Sequence, residues 1–242
     1  VEGAEPEHFD AAIVATGGLS VPATGSDGDG LRWTERLGHE IAPTYAALTP
    51  LLTEPAVHAE LAGVTLDVGL RSEGASAVDI EGSFLFTHRG YSGPVVLNAS
   101  HAATRDPAAR ERIMVRWGEA GAEQWDADLQ EGSGQLGSLL AERLPNRLAR
   151  ALAAEAGVAW DASRARIRRE ERLRLVELLT RYPLPWTGDE GYRKAEVMGG
   201  GVRLDQVHTR SLESRVVPGL YLCGEVLDAF GRHLGVGTET AS

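Results

Sequence analysis

The sequence predicts a mixed α/β fold, built on a nucleotide-binding type of sheet whose strands are interrupted by inserted segments. Two short apolar runs that end in glycines lie near opposite ends of the chain. Between them come a Gly-punctuated stretch of strand-like alternation and then a leucine repeat at helical spacing. The first run is Ala11-Ala12-Ile13-Val14, read as a buried strand, followed by the small-residue turn Ala15-Thr16-Gly17-Gly18 and a Gly-rich loop that reaches a helix opening at Asp29-Gly30. Residues without a Cβ let a ligand approach the main chain closely, and parallel strands present such turns at the carboxyl edge of a sheet. A tight strand-to-helix turn that binds nothing is the competing reading of that turn taken alone.

The second run is Leu220-Tyr221-Leu222-Cys223, started by Pro218-Gly219 and closed by Gly224-Glu225. In flavoproteins of the glutathione-reductase type a strand like this ends where the ribityl chain and pyrophosphate of FAD pass. An acidic residue there can accept a hydrogen bond from a ribityl hydroxyl. The two runs in this order point to one sheet with domains inserted between its strands.

Four ordered blocks, TGGLSVPATGSDGDG, GSFLFTHRGYSGPVVLNAS, AEVMGGGVRLDQVHTRSLESR and VPGLYLCGEVLDAFGR, resemble the BaiN-like NAD(P)/FAD-dependent oxidoreductases, also called the aminoacetone oxidase family of FAD-binding enzymes. The resemblance covers nearly the whole chain. It implies a bacterial, cytoplasmic flavoprotein with a partial FAD-binding (glutathione-reductase-like) domain interrupted by a β-barrel-like insert and a small helical insert. The implied segments are residues 1–45 and 211–242 for the FAD-binding domain, 46–120 and 184–210 for the β-rich insert, and 121–183 for the helical insert. FAD is the implied cofactor and NAD(P)H a candidate electron donor. Thr16, Gly17, Gly18, Gly25, Gly224, Glu225 and Asp228 are the residues expected to line the cofactor.

The family begins with a strand and a GxGxxG turn, and this chain starts downstream of both. The family continues past its GEVLD block into a GGYN segment, where this chain runs Gly231-Arg232-His233-Leu234-Gly235-Val236-Gly237-Thr238 to Ser242. Truncation at both ends is therefore expected, with Val1 to Phe9 as the end of an upstream element. A threonine is usual in the family at the position of Met198. An inactive truncated scaffold, and a fumarate-reductase or ketosteroid-dehydrogenase-like flavoenzyme, are the alternative readings.

Taken in order, the loop from Ser20 to Gly30 is rich in backbone donors, and a short helix is expected over Leu31 to His39. Asp27 and Asp29 would repel a phosphate, so they are expected to cap the helix or face solvent. Leu61 to Leu70 and Ala77 to Phe86 alternate between Gly turns, which predicts a meander or barrel. Ser92 is the expected N-cap of a helix over Val95 to Ala103, with Pro94 in its first turn. Thr87, His88, Arg89 and Tyr91 form the densest set of polar functional groups, and His88 and Tyr91 are the candidate catalytic residues. Ordinary capping beside a hydrogen-bonded histidine is the plainer account of them.

Ile113 to Trp117 reads as a strand, and the polar, Gly-rich stretch Gly118 to Ser138 as a linker. Leu140, Leu144, Leu148 and Leu152 recur every four residues, with a break at Leu144-Pro145. A second helix after Trp160 carries Leu175, Leu178 and Leu179 on one face. Its arginines, interleaved with Glu170, Glu171 and Glu177, are expected to form a solvated face. Met198-Gly199-Gly200-Gly201-Val202 returns as a strand, where either close approach of a ring or a β-bulge accounts for the glycines.

A net charge of −11 argues against nucleic acid or anionic membrane as the main partner and for a small-molecule substrate. No run of about 18 apolar residues is present. The single cysteine, Cys223, is expected as a small buried hydrophobe. The histidines are scattered, so no metal site is expected. There is no G-x-S-x-G elbow or P-loop, and a flavoenzyme needs neither.

Overall fold

A computed structural model of the chain describes residues 8–74, 78–109, 111–131 and 133–229. In chain order the elements begin with β1 (Ala12–Val14), α1 (Asp29–Arg36), β2 (Ile41–Ala47), β3 (Leu51–Leu52), β4 (Thr65–Glu73), β5 (Asp79–Phe86) and β6 (Gly90–Ser92). Next are α2 (Pro94–Ala99), α3 (His101–Thr104), β7 (Arg112–Trp117), α4 (Ala122–Gln130), α5 (Leu136–Ala141), α6 (Asn146–Ala156) and α7 (Arg169–Thr180). The chain then forms β8 (Tyr182–Pro183), β9 (Gly188–Asp189), β10 (Val197–Val202) and β11 (Leu220–Leu222). The expectations for Val1 to Glu7, for Ala77 and for the tail from Phe230 to Ser242 lie outside the described residues.

The chain divides into two compact units, one holding the residues through Ala47 and from Gly191, the other running from Leu48 to Glu190. In the first, β1 and β11 pair in parallel, Ala12 opposite Leu220 and Val14 opposite Leu222. β2 and β10 pair antiparallel with a register shift between Gly199 and Gly201. The core joins Leu31, Met198, Val202, Leu222 and Val226. All three glycines of β10 are dictated by close neighbours: a Cβ would lie 2.1 Å from the Tyr45 ring at Gly199, 2.2 Å from the Pro43 carbonyl at Gly200 and 2.7 Å from the Val226 carbonyl at Gly201. Both a bulge and close approach are thus present. β1 departs from its expected burial, for Ile13 is 70% exposed. The strand has one partner, β11, and among the described residues nothing covers its outer face.

The second unit is a seven-stranded sheet in the order β8-β7-β4-β5-β6-β3-β9. It does not close into the expected barrel. Its edges, β8 and β9, are joined through Leu184 to Thr187, and Pro183 at the end of β8 and Pro185 just after it lack the N–H groups that a ladder needs. Helix α2 begins after Gly93 rather than Ser92, because the chain passes so close to β5 that a Cβ at residue 93 would sit 2.6 Å from the Ser83 carbonyl oxygen. The helix expected over Val95 to Ala103 is broken at Ser100, whose hydroxyl donates to the Leu97 carbonyl at 2.8 Å and accepts the Thr49 N–H at 3.2 Å.

The expected linker contains a helix. In α4, Trp125 and Leu129 lie four residues apart and are both buried, so one apolar stripe suffices to fold a polar segment onto the core. Leu140, Leu144, Leu148 and Leu152 are all buried as their spacing predicts. Arg166, Arg168, Arg169 and Arg174 near α7 are exposed as expected, and Arg172 pairs with Asp126 at 2.8 Å. Arg164 instead donates to the carbonyls of Asp128, Glu131 and Ser133, which terminate α4.

Within this unit lies a directed polar chain. Tyr182 donates its hydroxyl proton to Glu155 Oε2 at 3.2 Å, and His58 Nε2 lies 3.1 Å from the Tyr182 oxygen. His58 Nε2 therefore carries the proton, and Nδ1 accepts from the buried Tyr91 hydroxyl at 2.8 Å. Phe84, Phe86 and Trp117 surround these rings at centroid separations of 5.5 to 6.0 Å. Burial lowers the His58 pKa and raises those of both tyrosines.

A histidine held neutral contributes stability that is full above its unperturbed value of 6.5 and is lost as pH falls towards the lower folded value. Urea midpoints measured between about pH 8 and about pH 5 should therefore fall, and more steeply for the native chain than for His58→Gln. Parallel slopes for the two proteins would remove His58 as the titrating group.

Candidate functional site

Because β1 and β11 are parallel neighbours, both strands leave the pair at the same edge. Ala15 to Gly18 follow one and Cys223 to Glu225 the other, and the Cys223 N–H closes the last rung on the Val14 carbonyl at 3.1 Å. Two turns separated by about 200 residues of sequence are brought side by side by one short ladder. Cys223 is half-buried rather than buried, since it lies just past that rung.

Gly17 has φ of +73°, a left-handed conformation, and a Cβ there would lie 2.9 Å from Ser26 Oγ. Gly18 faces inward: its Cβ would meet Met198 Cε at 2.9 Å and Glu225 Cδ at 3.2 Å. Gly224 also has positive φ, with open space where a Cβ would be. Among the described residues, no acceptor meets the N–H groups of Gly17, Gly18, Gly224 or Glu225. The turns thus form a glycine cradle whose main-chain donors have no acceptor among the described residues. Thr16 is exposed beside it.

Glu225 is the organising side chain. Its Oε1 accepts from Ser20 Oγ at 2.8 Å and from the N–H of Met198, so it ties the loop after β1 and the start of β10 to the turn after β11. Both of these bonds use Oε1, leaving Oε2 for another donor. Met198 itself is fully buried and fills the space behind Gly18. Gly25 ends the short 3-10 turn Pro22–Thr24 with its N–H on the Pro22 carbonyl at 3.1 Å. Asp228 is exposed, its N–H on the Val202 carbonyl at 2.9 Å.

Asp27 Oδ1 accepts the Asp29 N–H at 3.1 Å, and Asp29 pairs with Arg32 at 2.5 Å, so one carboxylate meets a first-turn N–H of α1 and the other holds a cation, while the N-cap position itself is Gly28. Gly30, not singled out in the sequence, is what lets α1 approach the cradle. A Cβ there would lie 1.8 Å from Thr16 Oγ1. Its position directly after the helix-opening aspartate was the available signal.

The structure does not bring His88 and Tyr91 together as a site. His88 is exposed on the turn between β5 and β6, whereas Tyr91 is fully buried with its hydroxyl on His58. Both belong to the unit Leu48 to Glu190. Among the described residues there is no group of His, Cys, Asp and Glu that could hold a metal, and no helix long and apolar enough to cross a membrane.

A parallel strand pair with glycine turns at one edge is the local signature of a Rossmann-type domain. The family model described as HI0933-like protein Rossmann domain matches residues 2–237. The chain belongs to this family. Over 231 residues it is 34% identical to the ribosomal RNA dihydrouridine synthase of Escherichia coli (strain K12), an alignment that covers 90% of this chain and 54% of that protein. The Haemophilus influenzae protein of the same name is 34% identical over 223 residues, with the same two coverages. The 3-dehydro-bile acid delta(4,6)-reductase of Clostridium scindens is 27% identical over 232 residues, covering 92% of this chain and 57% of that protein. The chain spans about half the length of these relatives.

In this HI0933-like chain the cradle depends on one carboxylate. Glu225→Ala removes the acceptor of a half-buried N–H and of Ser20, so the unfolding free energy should fall by about 1–3 kcal/mol. A urea titration checks this, with Glu225→Gln, which keeps an acceptor oxygen, losing less. Equal losses in the two variants would assign the effect to packing.

Proposed function

We propose that this HI0933-like chain carries part of the FAD site of a reductase. The observation that carries the reading is the parallel pairing of β1 with β11, which sets the Gly17-Gly18 and Gly224-Glu225 turns side by side at one edge. The residues suit the cofactor. Glycines at 17 and 224 would allow backbone contact, and Glu225 Oε2, which takes neither of the two bonds made by Oε1, would accept from a ribityl hydroxyl. Thr16 and the N–H groups of Gly17 and Gly18 would take phosphate or ribityl oxygens, with Gly25 and Asp228 at the margin. On this reading the unit through Ala47 and from Gly191 is the cofactor-binding part.

When bound, the flavin supplies two-electron transfer. The chain's own contribution would be to hold and orient it through the glycine turns and Glu225. NAD(P)H is the proposed donor of electrons. The names of the three relatives, two dihydrouridine synthases and a delta(4,6)-reductase, favour saturation of an activated carbon–carbon double bond over oxidation of an amine such as aminoacetone.

The net charge of −11 favours a free small molecule as substrate. That inference concerns the field of the whole surface. Two relatives are named for ribosomal RNA, so net charge alone does not exclude RNA as a substrate in this family. His88 and Tyr91 are not assigned catalytic roles, because one is a solvated turn residue and the other is engaged with His58.

The purified chain, incubated with excess FAD and desalted, should show flavin absorption bands. Gly17→Val should reduce retained flavin at least about tenfold at equal protein and unchanged circular dichroism, since a β-branched residue disfavours positive φ and fills the cradle. A colourless native chain would overturn the claim that these two turns hold the cofactor.

A further inference from the structure

Among the described residues three that are not glycine have a left-handed backbone, Val21, Leu48 and Leu212. Val21 is the costliest place for it. Its φ is +48° and its ψ +62°. The side chain is β-branched and crowds the main chain in this region, and Pro22 follows, which favours extended backbone in the residue before it. With 39% of the residue exposed, packing contributes little to hold it there.

A strained residue persists where its surroundings fix it, and such residues gather at functional sites. Val21 is fixed from both sides. Its N–H donates to the Tyr192 carbonyl at 2.8 Å, and before it Ser20 is buried with its hydroxyl on Glu225. Its carbonyl accepts the N–H and the hydroxyl of Thr24, both at 2.9 Å. The turn so made sends the chain back to the cradle, where Ser26 Oγ lies 2.9 Å from the place a Cβ would take on Gly17. Among the described residues that hydroxyl has no hydrogen-bond partner.

We propose that Val21 is the positioning residue of the cradle and its conformational switch: left-handed, it holds Pro22 to Ser26 against Gly17, and extended, it releases them. Turning Val21 to extended backbone parts both Thr24 bonds from its carbonyl and withdraws the wall beside Gly17. Resting on the cofactor reading only for its ligand, the switch makes FAD select the left-handed state. A residue at ease with positive φ raises the population of that state without any ligand.

The test compares Val21→Asn, which tolerates left-handed backbone, with Val21→Ile, which is larger and keeps the native cost. Amide hydrogen exchange is followed at Thr24, with the amides of β11 as the reference for an intact fold. In the free chain, Thr24 protection should rise at least about threefold in the Asn variant and stay at the native level in the Ile variant. Saturating FAD should raise Thr24 protection in the native chain at least about tenfold, because it binds the left-handed state alone. A side chain needed for its packing would give the reverse order, with Asn below native and Ile at or above it, and that order would overturn the proposal. So would FAD that binds without changing Thr24 protection, a result that leaves the cofactor reading intact. If the native chain binds no FAD while the order of the free variants holds, the cofactor reading fails and the switch stands.

Discussion

The constraint on which the first unit depends is the parallel register of Ala12–Val14 against Leu220–Leu222. Three residues on each side cannot make a stable sheet by themselves. They are held because Leu220 and Leu222 enter a core with Leu31, Met198 and Val226, and because Glu225 connects the loop after β1 to β10. Parallel pairing also requires the chain to leave the sheet and return. Loop-closure cost rises only logarithmically, by about 0.6 kcal/mol for each doubling, so the return can accommodate a second compact unit at little thermodynamic penalty. Each unit then needs its own core, and each has one.

Glycine gives this unit its shape. Gly30 permits α1 to approach Thr16, and Gly199 to Gly201 let β10 pass between Tyr45, Pro43 and the turn after β11. These positions have little in common in sequence. One follows a helix cap, and the others lie within a strand, where glycine ordinarily weakens pairing. What unites them is the absence of room. The cradle is therefore built from the inside, by neighbours that exclude a Cβ, as much as from the side facing a ligand.

How legible this was depended on whether the relevant partner was near in sequence. The apolar runs of β1, β7 and β11 and the leucine repeat of α6 are local patterns, and they led to the right elements. α4 was obscured because glycines and acids surround its two buried residues, Trp125 and Leu129, leaving a stripe too thin to dominate composition. The start of α2 at Gly93 rather than Ser92 was set by the backbone of β5, which no local rule contains. His58 passed unnoticed because its partners, Tyr91 and Tyr182, are 33 and 124 residues away. The exposure of Ile13 followed from how many strands flank β1, a property of the sheet and not of the strand.

The same distinction bears on chemistry. Tyr91 stood out in sequence as a functional group, but its hydroxyl belongs to a chain that runs through His58 and Tyr182 to Glu155, in which each donor has an acceptor. A satisfied buried network fixes a core; recruiting Tyr91 for proton transfer would leave His58 without its donor. By contrast, the cradle at the edge of β1 and β11 has N–H groups and a carboxylate oxygen with bonds still to make, and among the described residues it carries no nucleophile paired with a general base. Groups in that state can bind and orient a ligand, and on the reading proposed above the bound cofactor would bring the reactivity.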